Sequence, residues 1–162
     1  MKNSFKDTFL PLIISFIISF LIAFIGSSAT TPQIKGWYSV SIVKPPISPP
    51  NWIFAPVWTL LFIFMAISAY LVWQNRRNNK NANIGLVSYL IQLILNCFWS
   101  ISFFAMKSPL LAFIAIVLLW ITILITIYYF FKVNKTAAYL IIPYILWVSF
   151  ASILNFWIVL IN

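Results

Sequence analysis

The chain has 162 residues, of which 64% are apolar, 19% aromatic and only 7% charged. A soluble domain is roughly half apolar and about a quarter charged, so an ordinary soluble fold is excluded. Ten Lys/Arg stand against one acid, Asp7, for a net charge of +9, histidine is absent and Cys97 is the sole cysteine, which removes histidine catalysis, a carboxylate pair, an intramolecular disulfide and any multi-cysteine metal cluster.

The charged positions leave five uncharged stretches, each long enough for a helix to cross a bilayer at 1.5 Å per residue and about 20 residues per crossing. The first predicted helix lies near 9–29. Lys2 and Lys6 precede it as they would a signal peptide, but four further spans favour a retained helix, with Pro11 tolerated in its first turn. The connector, about residues 30–51, reads TTPQIKGWYSVSIVKPPISPPN. Prolines 45, 46, 49 and 50 donate no backbone hydrogen bonds and bias the preceding residues away from helix, so a stiff extended segment is expected. Such backbone belongs at the interface or against protein, where Trp37, Tyr38 and Trp52 would be at home. A rigid interfacial collar and a lid over a cavity are equally compatible with this composition.

The second span, near 52–73, carries a line of Trp58, Phe62, Met65 and Ala69, and RRNNKNAN after it reads as a hydrated turn. In the third, near 84–104, Ser88, Gln92, Asn96 and Ser100 recur every fourth residue with Trp99 beside them. Positions i and i+4 share a helix face, and four polar groups in hydrocarbon must face protein or a wet cavity. The fourth span lies near 110–131, opened by Pro109 and closed by a turn at Asn134–Lys135. The fifth lies near 137–160 and is expected to bend at Pro143. Its Tyr144, Trp147, Ala151 and Asn155 share one broad face, with Ala151 leaving room for a neighbouring helix or a flat ligand. The expected fold is an all-α integral membrane protein, a single domain over residues 1–162, with five transmembrane helices and a long proline-rich loop between helices 1 and 2.

Seven of the ten cations (Lys2, Lys6, Arg76, Arg77, Lys80, Lys132 and Lys135) fall on the side of the N-terminus, against Lys35, Lys44 and Lys107 on the other. The bias predicts a multi-pass protein of the cell membrane with a cytoplasmic N-terminus and an outer C-terminus. Basic loops beside anionic lipid account for the charge, and no nucleic-acid partner is expected. No ionisable group falls at mid-membrane, which disfavours a coupled pump or a charge-selective channel. No cofactor is expected, and any reaction would have to draw on the ligand's own chemistry. Gln92, Asn96 and Asn155 serve either interhelical hydrogen bonding or a pocket whose few polar atoms orient a planar apolar ligand.

Three groups of residues together resemble the tryptophan-rich sensory protein / translocator protein family, also called the peripheral-type benzodiazepine receptor family. They are Trp37-Tyr38, Lys44-Pro45 and Pro49-Pro50 with Trp52, Pro56-Val57-Trp58 and the following Leu61-Phe62 and Met65; Gln92-Leu93, Leu95-Asn96 and Trp99-Ser100 followed by Phe103-Phe104; and Pro143-Tyr144, Trp147, Phe150-Ala151 and Leu154-Asn155. The resemblance runs from about Gly26 to Asn155. It implies a five-helix membrane protein, commonly a homodimer, with a cavity closed by the first long loop. It further implies a receptor or sensor that binds tetrapyrroles such as protoporphyrin IX, or similar planar apolar molecules, within membrane lipid. A light- or oxidant-dependent porphyrin-degrading activity and passive transport of tetrapyrroles or lipids remain open alternatives. Carried onto this chain, the ligand-binding positions fall on Tyr38, Pro49, Pro50, Trp58, Asn96, Trp147 and Ala151. The chain departs from the family where Ile47 replaces a loop aromatic, where Phe62 replaces a tyrosine, and in having no Lys or Arg after Tyr144.

Overall fold

The computed structural model describes residues 5–162, with side chains from Phe9 onward. Helices are the only regular structure among the described residues: α1 Phe5–Lys35, a single turn α2 Trp37–Val40, α3 Phe54–Trp73, α4 Lys80–Ser100, α5 Pro109–Val133 and α6 Lys135–Ile161. A 3₁₀ turn at Asn51–Ile53 leads into α3, and a π turn at Ile101–Ala105 extends α4. Five of these units are long and apolar enough to cross a membrane. They close a ring in which α1 lies beside α3, α3 beside α6, α6 beside α5, α5 beside α4, and α4 beside α1.

The first helix is longer than its predicted span. It runs through the Ser-Ser-Ala-Thr-Thr-Pro segment to Lys35, and α2 follows after Gly36, so the non-helical connector shrinks from residues 30–51 to residues 41–50. The long loop expected from the prolines is therefore not formed, although its four prolines all lie in the part that remains. Hydroxyl groups sustain the extension: Ser27, Ser28 and Thr30 donate to the carbonyls of Phe24, Ile25 and Gly26. Pro32 removes only one helical hydrogen bond, near the helix end. At the other end α1 begins at Phe5, so Pro11 lies inside the helix and not in its first turn.

The remaining boundaries have local chemical causes. Asn79 caps α4 by accepting from Asn81 N at 2.9 Å. Ser108 caps α5 with Pro109 in its first turn, where a missing N–H costs nothing. Asn134 ends α5 and starts α6, its Oδ1 accepting from Ala137 N at 3.1 Å. Helix α6 runs unbroken through Pro143.

Inside the ring the polar stripe of α4 is buried, with Ser88, Gln92, Asn96 and Ser100 all at or below 6% exposure. Each of these four meets a different helix. Ser88 bonds Thr126 of α5, Gln92 reaches Met65 Sδ of α3, Asn96 donates to Tyr144 OH of α6, and Ser100 donates to Gly26 O of α1. Tyr89 of the same helix bonds Ser19 of α1 at 2.7 Å. Lipid tails are as apolar as leucine, so packing and interhelical hydrogen bonds of this kind hold membrane helices together. Where α4 and α5 approach most closely, Gly85 leaves no space for a side chain: a Cβ there would stand 2.9 Å from the Phe130 ring.

Candidate functional site

Helices α1, α3 and α4 do not pack solidly against one another. They border a half-open hollow of about 560 Å³ towards the end of the ring that carries the connector, with Phe24, Ser27, Thr31 and Thr59 on its exposed rim. Aromatic rings supply most of its wall: Phe20 and Phe24 from α1, Phe54, Trp58 and Phe62 from α3, and Trp99 from α4. Trp58 is the pivot of this wall. Its ring lies 6.2 Å from Trp99 at a shallow 32° tilt, 6.0 Å from Phe62, and edge-on to Tyr144 at 6.2 Å. Offset and edge contacts of this kind favour defined ring planes, so Trp58, Phe62 and Trp99 hold one another in place.

The π turn after α4 shapes one end. It carries two consecutive rings, Phe103 and Phe104, both buried. Their centroids are 4.9 Å apart, and both meet the edge of Tyr38 at about 6 Å. Tyr38, at 5% exposure, is thus a core residue and not part of an interfacial belt, whereas Trp52 is 72% exposed. Beneath Tyr38 a second, smaller hollow of about 40 Å³ is bounded by Ala151, Leu154 and Asn155 of α6. Phe54, Trp99 and Phe104 line both spaces and separate them.

Above these hollows the connector is held by the end of α6. The Asn162 amide forms a two-point clasp, with Oδ1 accepting from Val43 N at 2.9 Å and Nδ2 donating to Val43 O at 3.2 Å. Lys44 rests its ammonium over the Tyr38 ring, 4.6 Å from the centroid. Asn51 donates to Ser39 Oγ, joining the two ends of the segment.

The seven sequence-derived positions therefore take different places. Trp58 and Asn96 line the large hollow, and Tyr38 and Ala151 line the small one. Trp147 borders neither. It stands behind the wall, edge-on to Phe54 at 6.2 Å, its indole N–H buried without a hydrogen-bond partner. Pro49 and Pro50 also border neither space and set the course of the connector into the 3₁₀ turn. Trp99, Phe54 and Phe104 are absent from those seven, as are the α1 hydroxyls Ser27, Thr30 and Thr31. For Trp99 the signal was its place beside the polar stripe; for α1 it was the run of small residues from Gly26 to Thr31, a composition that permits close helix approach.

The sequence profile of the TspO/MBR family matches residues 15–161, nearly the whole ring. This chain belongs to the TspO/MBR family. Among its relatives, the tryptophan-rich protein TspO of Chlorobaculum tepidum is 47% identical over 83% of this chain and 85% of its own length. The tryptophan-rich protein TspO of Archaeoglobus fulgidus is 39% identical over 85% and 87%. The translocator protein of Ovis aries is 36% identical over 74% and 71%. With five membrane-length apolar helices, this TspO/MBR chain is a multi-pass membrane protein.

Proposed function

We propose that this protein is a membrane receptor or sensor that takes up a tetrapyrrole, or a similarly flat apolar molecule, in the hollow between α1, α3 and α4. The hollow itself carries the reading: about 560 Å³ walled by fixed aromatic rings, within the roughly 300–1,000 Å³ of small-molecule sites. Family membership, with relatives named as sensory and translocator proteins, supports the same reading. In it Trp58 offers a ring face, Asn96 a polar anchor, and the connector of Tyr38, Pro49 and Pro50 a cover. Ala151 leaves space under Tyr38, and Trp147 positions Phe54 from behind.

The protein is read as lying in the cell membrane with its N-terminus cytoplasmic. The end bearing Arg76, Arg77, Lys80, Lys132 and Lys135 is the more basic, and such ends stay on the cytoplasmic side. A homodimer, the state that the resemblance implies, is checked by crosslinking in native membranes. For ligand binding, the test is tryptophan fluorescence of the purified protein titrated in nanodiscs with protoporphyrin IX and with its dimethyl ester. Saturable quenching by at least one of them is expected, beyond that of nanodiscs mixed with free tryptophan. Linear, unsaturable quenching by both would overturn the reading.

A further inference from the structure

The polar atoms that the large hollow leaves unengaged are mostly acceptors. Ser27 spends its hydroxyl proton on Phe24 O at 2.9 Å, and Thr59 spends its own on Ala55 O at 2.8 Å. Thr30 and Ser100 lie 2.6 Å apart, and both approach Gly26 O, at 3.0 and 2.9 Å. A carbonyl can only accept, so the two protons of this pair are consumed within the trio. Asn96 directs Nδ2 at Tyr144 OH, and Trp99 donates its indole proton to Asn155 Oδ1. What the hydroxyls of Ser27, Thr59, Thr30 and Ser100 still offer to an occupant is oxygen lone pairs, and Asn96 offers its Oδ1 together with one N–H. The uncommitted donors on the wall are few: the hydroxyl of Thr31, the indole of Trp58 and one hydrogen of Asn96.

No cation offsets this bias. Among the described residues neither Lys nor Arg lines the hollow. Of the basic residues at that end of the ring, Lys44 is occupied over Tyr38, and Lys107 sits in the turn before α5. Lys35 is exposed in the last turn of α1, one turn beyond Thr31. A carboxylate moved from water into such surroundings loses its hydration, meets no cation and finds three neutral donors among a larger number of lone pairs, which repel it.

We infer that the hollow selects an uncharged ligand that carries hydrogen-bond donors, an alcohol or amide N–H on an apolar frame, and discriminates against the carboxylate form of the same frame. This rests on the hollow being the ligand site proposed above, and it adds the sign and type of the ligand's polar groups. The oxygens of Ser27, Thr59 and Asn96 accept from such a ligand without giving up a bond they already make. A dianionic porphyrin must instead hold both propionates outside, towards Lys35 and the headgroups.

One ring system in three forms tests this: protoporphyrin IX, its dimethyl ester, and the dipropanol made by reducing both propionates. Quenching titrations in nanodiscs at pH 8 are corrected for partition into nanodiscs lacking protein. The dipropanol is expected to bind at least tenfold more tightly than the acid, with the ester between them. Thr31→Lys, which sets a cation on the rim, is expected to tighten the acid alone and to shrink the gap to threefold or less, an effect that lipid partition cannot imitate. Circular dichroism and thermal unfolding verify that the variant folds; Thr59→Lys supplies the same charge from α3 if it does not. Equal or tighter binding of the acid overturns the inference while leaving the hollow a ligand site. If Lys35→Gln then abolishes that tight binding, the helix-end cation is the carboxylate anchor and the inference is likewise overturned. No saturable binding of any of the three removes the underlying reading, and this one with it.

Discussion

The contact between Asn96 and Tyr144 joins the wall of the hollow to the far side of the ring, and its removal has a calculable cost. Asn96 Nδ2 donates to Tyr144 OH at 3.0 Å, and Tyr144 is wholly buried. Asn96→Leu keeps the branched side-chain shape, at a somewhat larger volume, but leaves the buried phenol without its partner. A stranded buried group costs about 1–3 kcal/mol in soluble proteins, whereas interhelical hydrogen bonds in membranes average about 0.6 and reach about 1.7 kcal/mol. The Asn96→Leu variant should therefore lose about 1–2 kcal/mol. Tyr144→Phe should lose less, about 0.5–1 kcal/mol, because Asn96 borders the hollow and its amide can be resolvated there. The double variant should be less destabilised than the sum, by a coupling of about 0.6–1.7 kcal/mol. Reversible unfolding in mixed micelles of increasing denaturing-detergent fraction measures all four proteins. A coupling below about 0.2 kcal/mol, or a gain in stability on Asn96→Leu, would refute the reasoning.

Three further outcomes are expected. Gly85→Ala forces α4 from α5, because its Cβ would meet Phe130 at 2.9 Å; thermal unfolding should report a loss of about 1–3 kcal/mol, while an alanine at the lipid-facing Val87 should cost far less. Trp58→Leu removes a ring from the hollow and should weaken porphyrin binding about tenfold or more, whereas Trp147→Leu, acting only through Phe54, should weaken it roughly threefold; quenching or competition titrations distinguish them. Asn162→Ala opens the clasp on Val43, and hydrogen exchange at the Val43 amide should rise roughly fivefold, the worth of about 1 kcal/mol, with the helix cores unaffected.

The stripe Ser88, Gln92, Asn96 and Ser100 was legible from sequence because hydrocarbon offers polar groups no partner, so their shared face had to point inward. Pro109, Asn134 and the apolar runs set the span boundaries for equally local reasons. The end of α1 was not legible in the same way. Thr30, Thr31 and Pro32 have the composition of a loop, yet they are helical, with the Thr30 hydroxyl satisfied by Gly26 O and by Ser100 of α4. That difference matters to the site, since it places Thr30 and Thr31 on the hollow beside Ser27. The π turn carries no composition signal, and although Phe103 and Phe104 stand in the second motif group, their shared contact with Tyr38 shows only in the structure. Trp147 shares a helix face with Tyr144 and Asn155, yet a shared face did not make it a wall residue, because Phe54 stands between it and the space.

Ligand protection of engineered thiols tests most directly whether the flat ligand occupies the space between α1, α3 and α4. With Cys97 replaced by Ser, single cysteines at Ser27 on α1 and Thr59 on α3 stand on the wall, and one at Leu118 on α5 faces lipid. Maleimide labelling in nanodiscs is followed with and without saturating porphyrin dimethyl ester. Occupancy of the hollow predicts slowed labelling at positions 27 and 59 and none at 118. Unchanged labelling at both wall positions, while the ligand still quenches tryptophan saturably, would contradict it.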